Sequence, residues 1–195
     1  MFRPISADID FVALEEAELV RWKDQDIFAR SMRQREGATP WVFYEGPPTA
    51  NGKPGLHHVW ARIYKDFFCR YQTMQGHFVP RRAGWDTHGL PVEVEVEKRL
   101  GISGKKAIED EVGIAEFTRL CRESVHTYVG EFEKLTERIG YWVDLESAYW
   151  TYHTSYVESV WWQLQQLFNK ELLYEDLKVV PYCPRCGTAL SSHEL

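Results

Sequence analysis

Two histidines close a loop rich in proline and glycine, and their position suits the binding of a nucleotide phosphate. The loop, residues 47–58, lies between an apolar segment, residues 41–45, and a long amphipathic segment that begins near His58. This order predicts a strand, a loop and a helix, and the amides at the start of such a helix bind phosphate well. His57 and His58 can donate hydrogen bonds to phosphate oxygens and hold them in line for attack. A plain turn with two surface histidines remains the alternative.

A second polar loop, residues 84–91, contains Asp86. Its carboxylate is a candidate anchor for a ligand cation such as an α-ammonium group. The alternative is that Asp86 caps the helix expected to follow this loop.

The four cysteines fall into two classes. Cys69 and Cys121 stand alone on helical segments, where we expect them to be packed. Cys183 and Cys186 form a Cys-Pro-Arg-Cys-Gly knuckle, which supplies two of the four ligands of a typical structural zinc site. His193 is a conceivable third ligand, and two unpaired thiols are the alternative.

Hydrophobic spacing predicts the elements that must position these loops. Residues 41–44 and 78–80 read as short strands and residues 58–74 as the helix between them, so that residues 41–80 form a β-α-β unit. Helices are also expected over residues 11–31, 92–100, 114–139 and 156–168, with a turn-rich segment over 101–113 and a strand-like segment over 174–182. Because ligands bind beyond the carboxyl ends of parallel strands, the two polar loops should meet at one edge of the sheet.

Composition limits the class of protein. The chain has 195 residues, of which 44% are hydrophobic and 27% charged, as in a globular protein. The sequence contains no run of about 18 apolar residues, so it predicts no membrane span, and it does not open with a signal peptide. We therefore expect a cytoplasmic protein. The net charge of −6 predicts that any basic surface for RNA is local.

Long ordered blocks resemble the N-terminal catalytic region of isoleucyl-tRNA synthetase. The two main blocks are Phe-Tyr-Glu-Gly-Pro-Pro-Thr-Ala-Asn-Gly, residues 43–52, and Gly-Trp-Asp-Thr-His-Gly-Leu-Pro-Val-Glu, residues 84–93. Further matches lie at residues 121–125, 135–138, 141–144, 158–162 and 179–188, so that the resemblance covers the chain from about residue 6 onward.

The resemblance implies a class I aminoacyl-tRNA synthetase of α/β class. Its fold would be the first half of a Rossmann-type nucleotide-binding catalytic domain, with N-terminal and additional α-helices. The expected segments are 1–38 as an N-terminal helical segment, 39–182 as the half domain and 183–195 as the start of a zinc-knuckle region. Such an enzyme activates isoleucine with ATP and Mg²⁺ as isoleucyl-adenylate and transfers it to tRNA(Ile), and as a whole enzyme we expect it to be monomeric.

The resemblance also assigns residues. Pro47 would line the isoleucine side-chain pocket, Asp86 would hold the ammonium group, and Cys183 and Cys186 would supply half of a structural Zn²⁺ site. The ATP signature would consist of Pro48, Thr49, Ala50, Asn51, Gly52, Lys53, Pro54, Gly55, Leu56, His57 and His58.

The end of this signature departs from the family pattern, which is His-x-Gly-His. Here it is Gly55-Leu56-His57-His58, so the first histidine and the glycine have exchanged places and the last histidine remains. We expect His58 to keep its phosphate role. We expect His57 to crowd the position where adenine packs, which would reshape the nucleotide pocket and alter sensitivity to inhibitors that fill it.

Two expectations concern the extent of the chain. Its lack of the family's Lys-Met-Ser-Lys-Ser loop and of further zinc cysteines predicts the N-terminal part of a longer protein, unable by itself to perform the full reaction. The alternatives are a valyl or leucyl type of synthetase, against which the 84–91 block speaks, and a non-catalytic nucleotide- or RNA-binding module derived from a synthetase.

Overall fold

The structure is a computed structural model that describes residues 8–191. Within that range the helices are α1 Phe11–Asp24, α2 Ile27–Arg33, α3 Leu56–Met74, α4 Leu90–Leu100, α5 Lys105–Ala107, a π-helical turn Ile108–Val112, α6 Ile114–Arg138 and α7 Thr154–Asn169. The strands are β1 Phe43–Tyr44, β2 Arg81–Trp85, β3 Asp144–Trp150, β4 Tyr182–Cys183 and β5 Thr188–Ala189. None of the helices in the described range has the length and apolar character needed to cross a bilayer.

The central sheet has the strand order β1-β2-β3. Strands β1 and β2 are parallel, with Phe43 opposite Arg81, and α3 connects them, so the predicted α/β class and β-α-β unit are confirmed. On the sheet, Ala83, Tyr141 and Val143 form a buried apolar cluster, against which Phe43, Ile139, Leu145 and Ala148 pack. This cluster holds the strands whose ends carry the two polar loops.

The described residues divide into two compact units. Unit 1 contains the described residues up to Pro48, Lys53–Gly84 and Val129–Ala148. Unit 2 contains Thr49–Gly52, Trp85–Tyr128 and the described residues from Tyr149 onward. The three segments expected from the sequence, 1–38, 39–182 and 183–195, stay a prediction.

The single helix predicted over residues 11–31 is wrong, because two helices occupy this region. The chain leaves the helix after α1 and passes through Asp26, which has φ 50° and ψ 45°. Aspartate tolerates this left-handed conformation better than most residues. Its carboxylate also pairs with Arg33 at 2.9 Å, which favours the break.

The second strand is shifted from its predicted position. Residues 78–80 contribute only a bridge between Pro40 and Phe78, and the strand itself is Arg81–Trp85. The sequence pattern did not indicate this strand, because its adjacent charged residues Arg81 and Arg82 are more typical of a loop. Arg81 is nevertheless buried. Its guanidinium has polar partners there, because it donates to Thr73 Oγ1 at 2.6 Å and faces Asp66 Oδ1 at 3.5 Å.

Three other parts of the secondary structure differ from the prediction. Residues 174–181 contain no strand; they are exposed, and only Tyr182–Cys183 pairs, with β5. Strand β3 was not predicted, because Asp144, Glu146 and Ser147 interrupt its apolar pattern. The segment 101–113, expected to be turns, includes the short helix α5 and a π-helical turn.

Helices α3, α4, α6 and α7 lie close to their predicted positions. Helix α3 is amphipathic as expected, yet the apolar side chains that predicted it are largely exposed, whereas Arg62, Cys69 and Thr73 are buried. The buried face of α3 is therefore polar, and that face carries groups of the candidate site.

Candidate functional site

The first turn of α3 follows the first polar loop, within unit 1. Gly55 is the N-cap residue, with an extended backbone at φ −106° and ψ 174°, and no side-chain oxygen caps this helix. Uncapped amides at a helix start are available to an anion. Lys53, exposed just before this turn, adds a positive charge.

His58 is oriented by its own turn. Its Nδ1 accepts the backbone N–H of Gly55 at 2.9 Å, and its ring packs at 89° to the Phe132 ring, with centroids 4.9 Å apart. Because Nδ1 is an acceptor, the neutral ring carries its proton on Nε2. Partial burial, together with the nearby His57 and Arg62, lowers the pKa of His58. His58 is therefore a neutral side chain that can donate one hydrogen bond from Nε2.

His57 is exposed, and its ring lies beside that of His58 with centroids 3.8 Å apart. A Cβ atom added at Gly55 would stand 3.0 Å from Cε1 and from Nδ1 of His57. A side chain at position 55 would therefore require the ring at position 57 to move by a few tenths of an ångström. Glycine at the first signature position and histidine at the third are sterically linked.

Asp86 meets the first loop within unit 2. Thr49 Oγ1 donates to Asp86 Oδ2 at 2.7 Å, and the backbone N–H of Ala50 donates to the Asp86 carbonyl at 2.9 Å. Thr49 and Asp86 also form a parallel bridge beyond the ends of β1 and β2. The predicted meeting of the two loops is confirmed for these residues.

The alternative role of Asp86 as a helix cap is wrong. Helix α4 begins at Leu90 and its N-cap residue is Gly89, three residues beyond Asp86. The half-buried Asp86 carboxylate has one oxygen bonded to Thr49, and Oδ1 accepts no hydrogen bond from the described part of unit 2. One carboxylate oxygen is therefore open to a cationic ligand.

A buried threonine, which sequence reasoning missed, holds the backbone after Asp86. Thr151 Oγ1 accepts the N–H of Thr87 at 2.9 Å and lies 2.8 Å from His88 Nδ1. The Tyr152 N–H in turn donates to Thr87 Oγ1 at 3.2 Å. Both threonines are buried. Thr151 follows β3, which was itself not predicted, so no sequence pattern pointed to it.

Glu45 is a second missed residue, in unit 1. It directly follows β1, immediately before the Gly-Pro-Pro turn, and is only 3% exposed. Its carboxylate accepts hydrogen bonds from Lys65 on α3 and from Tyr141 after α6. An acidic residue directly after an apolar strand was the available signal.

The remaining signature residues are placed as follows. In unit 1 the half-buried ones are Pro47, Pro48, Pro54 and Gly55, and the exposed ones are Lys53 and Leu56. In unit 2 the half-buried ones are Asn51 and Gly52, and Ala50 is buried. Their assignment to isoleucine or ATP stays a prediction.

The Cys183–Cys186 knuckle lies at the turn of the β4–β5 hairpin in unit 2. Gly187 donates its N–H to the Cys183 carbonyl at 2.9 Å and has φ +65°, which glycine adopts without strain. The backbone N–H and thiol of Cys186 donate toward the Cys183 sulfur and lower the pKa of Cys183. Two thiols so arranged fit half of a zinc site, and no group of three metal-ligating side chains occurs among residues 8–191. His193 lies outside the described residues.

Cys69 and Cys121 behave as packed thiols. Both are free and at least partly buried, and burial raises the pKa of each to about 11. A thiol with so high a pKa is a poor nucleophile. The expectation that these two cysteines are simply packed is confirmed.

The sequence matches the family described as tRNA synthetases class I (I, L, M and V) over residues 17–195. The chain belongs to this family. The resemblance to isoleucyl-tRNA synthetases is supported by curated relatives named isoleucine–tRNA ligase. The identity is 58% over 194 residues for proteins of Streptomyces coelicolor and Thermobifida fusca, and 57% over 195 residues for that of Thermus thermophilus.

A solved structure supports the class I synthetase fold. The agnB2 LeuRS of Agrobacterium radiobacter K84, crystallised as a ternary complex with tRNA and LeuAMS, aligns over 95% of this chain and 21% of its own, with a TM-score of 0.65 and 19% identity. The isoleucine–tRNA ligases align over 100% of this chain, which spans 18% of their length.

Proposed function

We propose that this chain contributes the nucleotide and amino-acid site of an isoleucine–tRNA ligase. The activity would be the ATP-dependent conversion of isoleucine to isoleucyl-adenylate, followed by transfer of the aminoacyl group to tRNA(Ile). The observation that carries the proposal is the identity of 57–58% along the whole chain to proteins named isoleucine–tRNA ligase. The pairing of Thr49 with Asp86 supports it, because it leaves one carboxylate oxygen open at a strand end.

In this proposal Asp86 binds the α-ammonium group of isoleucine. An ionised carboxylate gives a charge-assisted hydrogen bond to an ammonium donor. The Thr49 hydroxyl orients the Asp86 carboxylate, and the Ala50 N–H holds the Asp86 backbone carbonyl. The Thr151 hydroxyl holds the same segment in place by accepting the Thr87 N–H. Pro47, which directly follows Gly46 after β1, lines the isoleucine side chain.

The phosphates of ATP, bound with Mg²⁺, would lie at the start of α3. There His58 donates from Nε2, and the amides of the first turn add partial positive charge. The isoleucine carboxylate attacks the α-phosphate and pyrophosphate leaves. The protein contributes positioning and charge stabilisation to this transfer and no covalent intermediate. His57 shapes the nucleotide pocket beside His58.

Zn²⁺, tRNA(Ile), a monomeric state and a cytoplasmic location belong to the same proposal. Cys183 and Cys186 would supply two thiolate ligands of a structural Zn²⁺, which would stabilise the β4–β5 hairpin and take no part in the chemistry.

Isoleucine-dependent ATP–pyrophosphate exchange tests the proposal, measured on the 195-residue chain and on the full gene product, with valine and leucine as competing substrates. We expect exchange by the full gene product, with isoleucine preferred. Asp86→Asn should raise the isoleucine KM, whereas Asp24→Asn, a change at the end of α1, should not.

The outcomes separate the candidate functions. A preference for valine or leucine would replace isoleucine as the substrate. Absence of exchange from both proteins would reject the ligase and favour a non-catalytic nucleotide- or RNA-binding module. Exchange by the full gene product alone would show that activation needs residues outside this chain.

A further inference from the structure

We propose that Glu45 is a positioning residue for isoleucine activation: with Tyr141 and Lys65 it sets the Gly46-Pro47 segment against α3, and so sets the specificity of the side-chain pocket. This inference rests on the proposed function. It concerns a residue outside the signature, and it is built from contacts within unit 1.

The segment after Glu45 has few backbone bonds of its own. Glu45 donates its N–H to the Arg82 carbonyl at 2.9 Å, which is the last ladder bond between β1 and β2. Pro47 and Pro48 have no N–H group to donate. The Gly46 carbonyl accepts from Lys65 Nζ at 3.3 Å. Side chains must therefore hold this segment in place.

A single buried carboxylate supplies that restraint. Glu45 Oε1 accepts from Lys65 Nζ on α3, and Oε2 accepts from the Tyr141 hydroxyl, which follows α6. Lys65 thus bridges the Glu45 carboxylate and the Gly46 carbonyl. Burial and the neighbouring Glu45 charge raise the pKa of Tyr141, which keeps the phenol protonated as a donor. Three segments of unit 1 meet at this one side chain.

The same carboxylate balances a second cation, Arg62, which is buried. Its guanidinium lies 5.1 Å from the centre of the Phe132 ring and 5.9 Å from that of Tyr141. Within the described range, its Nε and Nη1 have no hydrogen-bond partner. The Glu45 charge acts against the desolvation that lowers the pKa of Arg62. Neutralising Glu45 would remove the negative charge that faces both Lys65 and Arg62.

Arg62 connects this group to the phosphate end of the loop. It lies one helical turn after His58 on α3, and it packs against Phe132, the ring that His58 also contacts. The Glu45 group therefore lies between the proposed side-chain pocket at Pro47 and the proposed phosphate donor.

The test compares kcat/KM for isoleucine with kcat/KM for valine in the full gene product. This ratio does not depend on the fraction of active enzyme. A difference of one methylene group in an apolar pocket is worth roughly 10- to 200-fold, a range for which isoleucyl-tRNA synthetases are themselves a reference case. We expect Tyr141→Phe and Glu45→Gln to raise the isoleucine KM and to lower the ratio at least about threefold within that range. Glu45→Asp should restore part of it.

Matched controls are Tyr64→Phe on the exposed side of α3 and Glu146→Gln on β3. Both should leave the isoleucine KM and the ratio unchanged. If Tyr141→Phe and Glu45→Gln lower only kcat, in proportion to the folded fraction measured by circular dichroism, with an unchanged ratio, the positioning role is rejected.

Amide hydrogen exchange of the 195-residue chain separates failure of this inference from failure of the proposed function. We expect the peptide over residues 44–56 to exchange faster in Tyr141→Phe than in the wild type or Tyr64→Phe. Unchanged exchange in that peptide overturns the inference even where the ligase activity is present. Faster exchange supports the restraint by Glu45 even where no isoleucine-dependent activity is found.

Discussion

At the residue scale, the altered signature is a matched pair of substitutions. A Cβ atom at Gly55 would stand 3.0 Å from two atoms of the His57 ring, closer than an ordinary van der Waals contact. A side chain at position 55 therefore requires a smaller residue at position 57 or a rotated ring. Glycine at position 55 avoids this close contact.

We predict that Gly55→His destabilises the chain, and that adding His57→Gly recovers part of the loss. Residues in contact are typically coupled by about 0.5–3 kcal/mol. Urea unfolding of the wild type, both single variants and the double variant measures this coupling. Strictly additive changes in the free energy of unfolding would contradict the steric link.

The same double variant tests the nucleotide-pocket hypothesis in the full gene product. We expect a changed ATP KM and a changed affinity for inhibitors that fill the pocket, because the imidazole beside His58 is removed. If both quantities keep their wild-type values, His57 does not shape that pocket.

The protonation of His58 should affect stability. Its pKa lies below the ordinary value of 6.5, mainly through burial and then through His57 and Arg62. The unfolded chain therefore binds more protons than the folded chain between the two pKa values. We predict that the free energy of unfolding is fully retained above pH 6.5 and falls as the pH decreases through the folded pKa.

NMR titration of the histidine ring protons and urea unfolding across this pH window measure both effects. His58→Gln should reduce the loss of stability at low pH, and the exposed control His153→Gln should not. A His58 titration at or above 6.5 would show that the ring is not held neutral.

At the element scale, the segment after β2 depends on the residue that follows β3. Thr151→Ala should cost about 1–3 kcal/mol of folding stability, because it leaves the buried Thr87 N–H without an acceptor. In the full gene product it should also raise the isoleucine KM, since Asp86 directly precedes Thr87. Thr151→Ser, which keeps the hydroxyl, is the matched control. Equal effects of alanine and serine would assign the role to the methyl group.

The β4–β5 hairpin carries the proposed zinc ligands at its turn. We predict that the full gene product, purified under reducing conditions, contains zinc and that Cys183→Ser lowers the zinc content. Cys121→Ser should have no effect, because that thiol lies elsewhere, on α6, and its pKa is raised to about 11. Atomic absorption gives the measurement. The same zinc content in Cys183→Ser and the wild type would exclude the knuckle as a ligand pair.

At the scale of the whole molecule, α3 presents an apolar stripe to the surface. Trp60, Tyr64, Phe67, Tyr71 and Met74 are 46–73% exposed and recur at spacings of three and four residues. Large contiguous apolar surfaces bind hydrophobic dyes. We predict that the isolated 195-residue chain binds the dye ANS in its folded state.

Trp60→Glu with Phe67→Glu should reduce this fluorescence, because both residues belong to the stripe. Ile114→Glu, at an exposed position at the start of α6, should not. Equal dye binding by all variants would show that the stripe is not the binding surface.

Local patterns in the sequence were enough to predict the fold class, which is α/β, and the helices α3, α4, α6 and α7. They were enough because helical spacing and the alternation of strand, loop and helix are properties of neighbouring residues. The meeting of the loops at Thr49 and Asp86 also followed, since parallel strands end at a common edge. The strand Arg81–Trp85 did not follow, because its buried Arg81 depends on Thr73 and Asp66.

The sequence by itself determined the positions of the two polar loops, the cysteine knuckle and the altered signature, because each is a run of adjacent residues. Only the tertiary structure decided what holds them. Glu45 with Lys65 and Tyr141, and Thr87 with Thr151, are separated by 20 to 96 residues along the chain. Such contacts form when packing removes water from polar groups, which then must find partners. No local pattern records which partners those will be.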